Sequence, residues 1–158
     1  MANLFLAAEI LEMNVSEERN GAAFYQQLAE TASHAVVKKQ AADIALSEKH
    51  HEALFINMLA GLEKPEPQES YPGEYDAYVQ ALLKNKSFAD EEDARQKAGR
   101  WSDREALEYA LKVEEATLTL LRELSRHIDA KESALVQVTM DEEENHVRVL
   151  QDLLQRLP

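Results

Sequence analysis

Two stretches of this chain share one pattern of potential metal ligands. Glu48-Lys49-His50-His51 lies in an apolar run that continues through Leu54, Phe55, Met58 and Leu59. At an offset of 95 residues it returns as Glu143-Glu144-Asn145-His146, followed by Val149, Leu150, Leu153 and Leu154. On a helix, residues three apart lie roughly 60° apart around the axis and about 4.5 Å along it. Both side chains of each motif can therefore reach one point. Carboxylate and neutral imidazole together suit a divalent transition metal. Two such helices in one small chain imply one metal site assembled from two halves.

The stripes that carry these motifs define four long helices. The first spans residues 4–31, with Leu4, Ala8, Leu11, Val15, Glu18, Ala22, Tyr25 and Ala29 at helical steps. Glu18 is its one acidic member. The second, 34–60, presents Val37, Ala41, Ile44, Glu48, His51, Phe55 and Met58, and Gly61 suits its C-terminus. The third opens on Ser102-x-x-Glu105, the pattern of a capping box, and is expected to end near Ile128. Its stripe of Leu107, Ala110, Glu114, Leu118 and Leu121 again holds a single acid. The fourth opens on a second such box, Asp129-x-x-Glu132, and runs nearly to 158 through Val136, Met140, Glu143, His146, Leu150 and Leu153.

Each half is thus one helix with an inward Glu, then one with an inward Glu-x-x-His. Glu18 precedes Glu48 by 30 residues, and Glu114 precedes Glu143 by 29. The sum is four carboxylates and two imidazoles. Buried charges are paired or bound to metal. Two divalent cations would offset four carboxylates and leave both His neutral as nitrogen ligands. All six side chains are expected to converge on two ions about 3.5–4 Å apart.

Residues 61–101 form a long crossover, broken early by Pro65, Pro67, Pro72 and Gly73. Within it, Tyr75, Tyr78, Val79, Leu82 and Leu83 predict a short amphipathic helix over 74–84, whose apolar face needs cover from the bundle or a second subunit. A weaker helical patch spans 89–97. Short links pair the first helix with the second, and the third with the fourth, as antiparallel neighbours; the crossover makes the second and third parallel. The expected fold is all-α: one domain over 1–158, a four-helix bundle running up-down-down-up.

Composition narrows the function classes. The chain has 158 residues, enough for one domain with a real core. It has no Cys, hence no disulfide, thiolate site or nucleophilic Cys. With 30 acidic against 17 basic residues the net charge is -13, so nucleic acid and anionic membranes are poor partners. No apolar run approaches the roughly 20 residues of a membrane span, and no signal-peptide pattern opens the chain. The expected location is the cytoplasm.

The segments Glu18-x-x-Gly21-x-x-Phe24-Tyr25-x-x-Leu28-Ala29, Glu48-x-x-His51, Glu114 and Glu143-x-x-His146 resemble the ferritin-like superfamily and, within it, the rubrerythrin family. The resemblance implies a ferritin-like bundle with two iron ions, although the same donors accept manganese or zinc. It implies Glu18 and Glu114 mainly on one metal each, Glu48 and Glu143 between the metals, and His51 and His146 as terminal nitrogen ligands. Tyr25 is similar to the family's tyrosine that hydrogen-bonds a ligand carboxylate; its plain alternative is a core aromatic. The implied function is a non-haem di-iron oxidoreductase that reduces hydrogen peroxide or dioxygen. The alternative is an iron-binding or ferroxidase protein for storage or detoxification. A further alternative is a bundle whose metal is structural.

Rubrerythrin proper has an additional Glu where this chain has Thr117, which puts a ligand-swapping cycle in doubt. It also has a four-Cys rubredoxin domain, so the Cys-free chain is expected to need a separate electron-donor protein. A homodimer is expected from the same resemblance. Tyr25 pairs in the repeat with Leu121, which makes the halves unequal. Off the stripes, His50, Glu52, Glu115, Glu142 and Glu144 read as solvated, Glu142 having the alternative of accepting from a ligand His. His34 and His127 near helix ends read as capping or solvated, and Trp101 as structural.

Overall fold

The structure is a computed structural model describing residues 4–62, 72–84 and 86–158, and among these every regular element is helical. Six helices follow in order: α1 (Leu4–Thr31), α2 (Ala35–Gly61), α3 (Glu74–Leu83), α4 (Glu91–Arg100), α5 (Asp103–Leu124) and α6 (Ala130–Arg156). The long four are α1, α2, α5 and α6.

Their order in the bundle follows from the core, which is split into two apolar layers. One layer contains Phe24, Leu28, Val37, Ile44, Leu107, Val113 and Leu150. The other contains Ile10, Leu11, Phe55, Met58, Leu118, Leu121, Val136 and Met140. Along α1 and α6 the chain passes from the second layer to the first; along α2 and α5 it passes from the first to the second. The run is therefore up-down-down-up, as the crossover requires. On every long helix the changeover falls at the Glu or Glu-x-x-His positions. A polar belt thus lies between two apolar layers. Each large side chain fully buried beside it contributes roughly 1.5–3 kcal/mol, which offsets the unfavourable burial of the belt.

Local signals explain the ends. Ser102 accepts from the Glu105 N–H while Glu105 returns a bond to the Ser102 N–H, so the capping box forms. At α6, Asp129 accepts from the Glu132 N–H, and the described bonds hold only this half of the expected box. Helix α5 stops at Leu124 rather than near Ile128. The Arg126 and His127 N–H groups turn back to Glu123 and Leu124, tightening the last turn, and Ile128 stays in the core beyond it. Gly61 does not end α2 by a left-handed turn: Leu62 follows in extended conformation, and the positive φ among the described residues is at Gly73, 84°, in the turn before α3.

The crossover does more than connect. Helix α4 has Glu91, Glu92 and Asp93 in its first turn and Lys97 and Arg100 in its last, matching the helix dipole. It lays Ala94 and Ala98 into the core. Gly99 faces α1, where an added Cβ would make an ordinary contact 3.9 Å from Gln27. Helix α1 is therefore covered on a second side near Ala23, Phe24 and Leu28, which share a cluster with Ala94 and Ala98. Ile10, Asn14, Glu17 and Asn20, also off the stripe read from sequence, are buried as well, Glu17 accepting from the Ser87 N–H just before α4. Trp101 closes α4 and packs on Tyr109 with ring centroids 4.9 Å apart. Helix α3 falls where the short amphipathic helix was expected. The side chains of Tyr75, Val79, Leu82 and Leu83, and residues 63–71 with Pro65 and Pro67, lie outside the described residues. Among the described residues no helix is long and apolar enough to cross a membrane.

Candidate metal centre

The structure brings all six sequence-derived residues to the belt, and every one is buried: Glu18, Glu48, His51, Glu114, Glu143 and His146. Their donor atoms form two quartets, each within 4.8 Å: Glu18, Glu48, His51 and Glu143, and Glu48, Glu114, Glu143 and His146. Glu48 and Glu143 belong to both. Each remaining carboxylate belongs to one, with one imidazole.

Distances show how the sharing arises. Glu143 points one oxygen at each imidazole: Oε1 lies 2.8 Å from His51 Nδ1 and Oε2 lies 2.8 Å from His146 Nδ1. Glu48 Oε1 stands 3.9 Å from His51 Nδ1 and 3.4 Å from His146 Nδ1. Glu18 Oε2 is 3.5 Å from His51 Nδ1, and Glu114 Oε2 is 3.9 Å from His146 Nδ1. The two rings face each other with centroids 5.9 Å apart. Opposite helices put a Glu and a His three residues apart onto the same level, as the helical rise dictates.

Burial sets the electrostatics of the cation-free centre. Burial, with the nearby charge of Glu143, pushes the Glu18 carboxyl up to about 8. Burial and carboxylate neighbours also hold Glu48 and Glu114 well above the usual range. Burial would raise Glu143 too, but hydrogen bonds and charges from His146 and His51 outweigh it and bring it down to about 2. Burial opposes charge on His51, yet Glu143 and Glu18 prevail and push it up to about 11. His146 is raised by Glu114, Glu143 and Glu48 against the same opposition. Protons thus occupy the role that cations would take.

The donor set fits a metal on a further observation. Among the described residues, both oxygens of Glu18, Glu48 Oε1 and Glu114 Oε2 are buried without a hydrogen-bond partner. Such orphans are rare in folded proteins, and here they cluster at one place.

Three neighbours shape the centre. Tyr25 donates to Glu114 Oε1. Burial and the adjacent carboxylates keep its phenol protonated well above the ordinary range, so it acts as a donor as well as a core aromatic. Glu142, read mainly as solvated, instead accepts from His51 Nε2 at 2.6 Å. The signal for it was its place four residues before His146, on the helix facing His51. Gly21 lies one turn beyond Glu18 on α1, beside the shared carboxylate of Glu48. A Cβ there would lie 2.7 Å from Glu48 Oε2, so glycine makes room for a shared carboxylate. In Gly21→Ala the side chain of Glu48 can swing away, so the metal-free protein should melt within a few degrees of wild type. Metal affinity should fall by tenfold or more, as read by competition with a chelator.

The other candidates fall outside the belt. His50 is exposed, Glu52 pairs with Arg19 across α1 and α2, and Glu144 approaches Arg122. Glu115 is exposed. His34 Nδ1 pairs with Asp103, which also accepts from the Ser33 and His34 N–H groups and ties the start of α2 to α5. His127 meets Glu123. Thr117 is buried at the position matching Gly21 in the second half.

Comparison with known proteins agrees with this architecture. None of the curated proteins matches the chain. A crystal structure from Thermotoga maritima, described as a ferritin-like diiron-carboxylate protein, superposes with a TM-score of 0.67. It is 20% identical, and the match covers 99% of this chain and 96% of that one, so the two share a ferritin-like fold. The family model for rubrerythrin matches residues 9–103, more than half of the chain and inclusive of Glu18, Glu48 and His51. With the second half repeating the same ligand geometry, the chain belongs to the rubrerythrin family.

Proposed function

We propose that this chain is a non-haem di-iron oxidoreductase that reduces hydrogen peroxide. The observation that carries the reading is the pair of quartets sharing Glu48 and Glu143, each completed by one carboxylate and one His Nδ1. Two ferrous ions held there would supply the two electrons that, with two protons, convert one peroxide to two waters. Glu18 and His51 complete one position; Glu114 and His146 complete the other. Glu48 and Glu143 hold the two positions together. Tyr25 fixes the orientation of Glu114 through its hydrogen bond. The apolar layers on either side restrict water around the belt. Manganese and zinc suit the same donors, but zinc has no redox chemistry, so the oxidoreductase reading requires iron or manganese.

The reading includes a cytoplasmic homodimer served by a separate electron-donor protein. Sedimentation at micromolar concentration tests the dimer. The test of function is anaerobic loading with ferrous iron, then reaction with peroxide or with air. Oxidation should be faster with peroxide, at about one peroxide per two irons, because each chain releases two electrons. Retention of many oxidised irons per chain from ferrous iron and air would replace this reading with storage.

A further inference from the structure

The two halves of the centre repeat one another, yet among the described residues one imidazole has a partner that the other lacks. His51 Nε2–H donates to Glu142 Oε2 at 2.6 Å. Glu142 stands four residues before His146 on α6 and so serves the imidazole of the opposite half. The repeat places Ser47 at the matching position, four residues before His51. Ser47 Oγ lies 3.4 Å from the Nε2 of His51 on its own helix, and its side chain is too short to do on His146 what Glu142 does on His51. Among the described contacts no carboxylate meets His146 Nε2. The carboxylates differ as well. Tyr25 donates to Glu114, whereas its counterpart Leu121 has nothing to donate, and both oxygens of Glu18 lack a hydrogen-bond partner.

We infer that the two metal positions are unequal, and that Glu142 is the positioning residue that makes the Glu18–His51 position the tighter one and the first to fill. The inference rests on the two-metal reading above. A carboxylate accepting from one ring nitrogen keeps the proton there and leaves the lone pair on the other, here Nδ1, facing the centre. It also fixes the ring and raises its strength as a ligand. A donor on Glu114 acts in the opposite sense, drawing electron density from the carboxylate of the other position. Both differences favour the same position. Glu142 is also suited to a clean test, because its side chain is 54% exposed while that of His51 is 3% exposed. Replacing it alters the bond to His51 without opening the core.

The test is anaerobic titration of the metal-free full-length protein with cobalt(II), read from its ligand-field absorption and calibrated by chelator competition. Wild type should take up two ions in two resolved steps. Glu142→Leu should weaken the first step by about 10–100-fold and leave the second as in wild type. Glu142→Gln, whose amide oxygen still accepts from Nε2–H without the charge, should fall between them. Glu144→Gln, one exposed position beyond the ligand Glu143, should match wild type. Circular dichroism should show the same helix content in all four. Two ions entering wild type in one unresolved step would overturn the inference. So would a first step unchanged in Glu142→Leu, or equal weakening of both steps. Uptake of fewer than two ions by wild type would instead overturn the two-metal reading itself.

Discussion

Stripping the metal with a chelator is expected to lower the melting temperature by about 10 °C or more for each ion lost. A ligand that binds only the folded state stabilises it by roughly 4 kcal/mol at a thousandfold excess over its Kd. In a chain of this size each kcal/mol moves the midpoint by about 2–4 °C. The stripped protein should also become sensitive to pH in a defined direction. Glu18, Glu48 and Glu114 bind protons more tightly folded than unfolded. Their contribution is complete below the ordinary glutamate value of 4.5 and is lost as pH rises, through about 8 for Glu18. His51 acts in the same sense, complete below 6.5 and lost as pH climbs through about 11. Glu143 has the opposite sign: its contribution is present above 4.5 and lost as pH falls toward about 2. Metal-free protein should therefore be most stable in mild acid and weaken steadily through neutrality and above. Metal-loaded protein should be nearly flat across neutrality, because cations replace the protons. Thermal melts with and without chelator, in mild acid, at neutrality and in mild base, would show this. Coincident curves would contradict it.

Glu143→Ala should lose both ions, while His146→Ala should lose one. Glu143 lies in both quartets and sets one oxygen 2.8 Å from each imidazole. His146 belongs to one quartet only. Removing Glu143 also takes from two buried imidazoles the carboxylate that lies 2.8 Å from each Nδ1, and breaking a buried pair in this way destabilises by about 3–5 kcal/mol. The metal-free Glu143→Ala protein should accordingly melt well below metal-free wild type. Two-electron reduction of peroxide, at one peroxide per two irons, should vanish in both variants, since a single ferrous ion supplies only one electron. Metal analysis of the purified variants, with circular dichroism as the check on folding, reads the contrast. Two ions retained by Glu143→Ala would contradict the shared position.

The long helices were legible because inward residues recur at helical steps and Gly and Pro are concentrated in the crossover. The six belt residues were legible because charged groups interrupt otherwise apolar stripes at matching places in two halves. Three kinds of feature were less accessible. Helix α1 is covered on a second side by the crossover, where Ser87 donates to Glu17 and α4 packs near Phe24, and a single stripe does not reveal burial at Asn14, Glu17 or Asn20. The stop at Leu124 depends on backbone bonds in a tight turn, which leave no sequence signature short of Ile128. The reach of Glu142 to His51 and the closeness of Gly21 to Glu48 depend on the spacing between helices, which periodicity within one helix does not specify.

On the proposed reading, six side chains from four helices hold two metal ions at one centre. Anomalous scattering at the iron edge, from crystals of protein loaded with ferrous iron and held without oxygen, tests it most directly. Two iron peaks per chain are expected, one among Glu18, Glu48, His51 and Glu143 and the other among Glu48, Glu114, Glu143 and His146. No peak in the belt, or a single peak touching only one quartet, would contradict it.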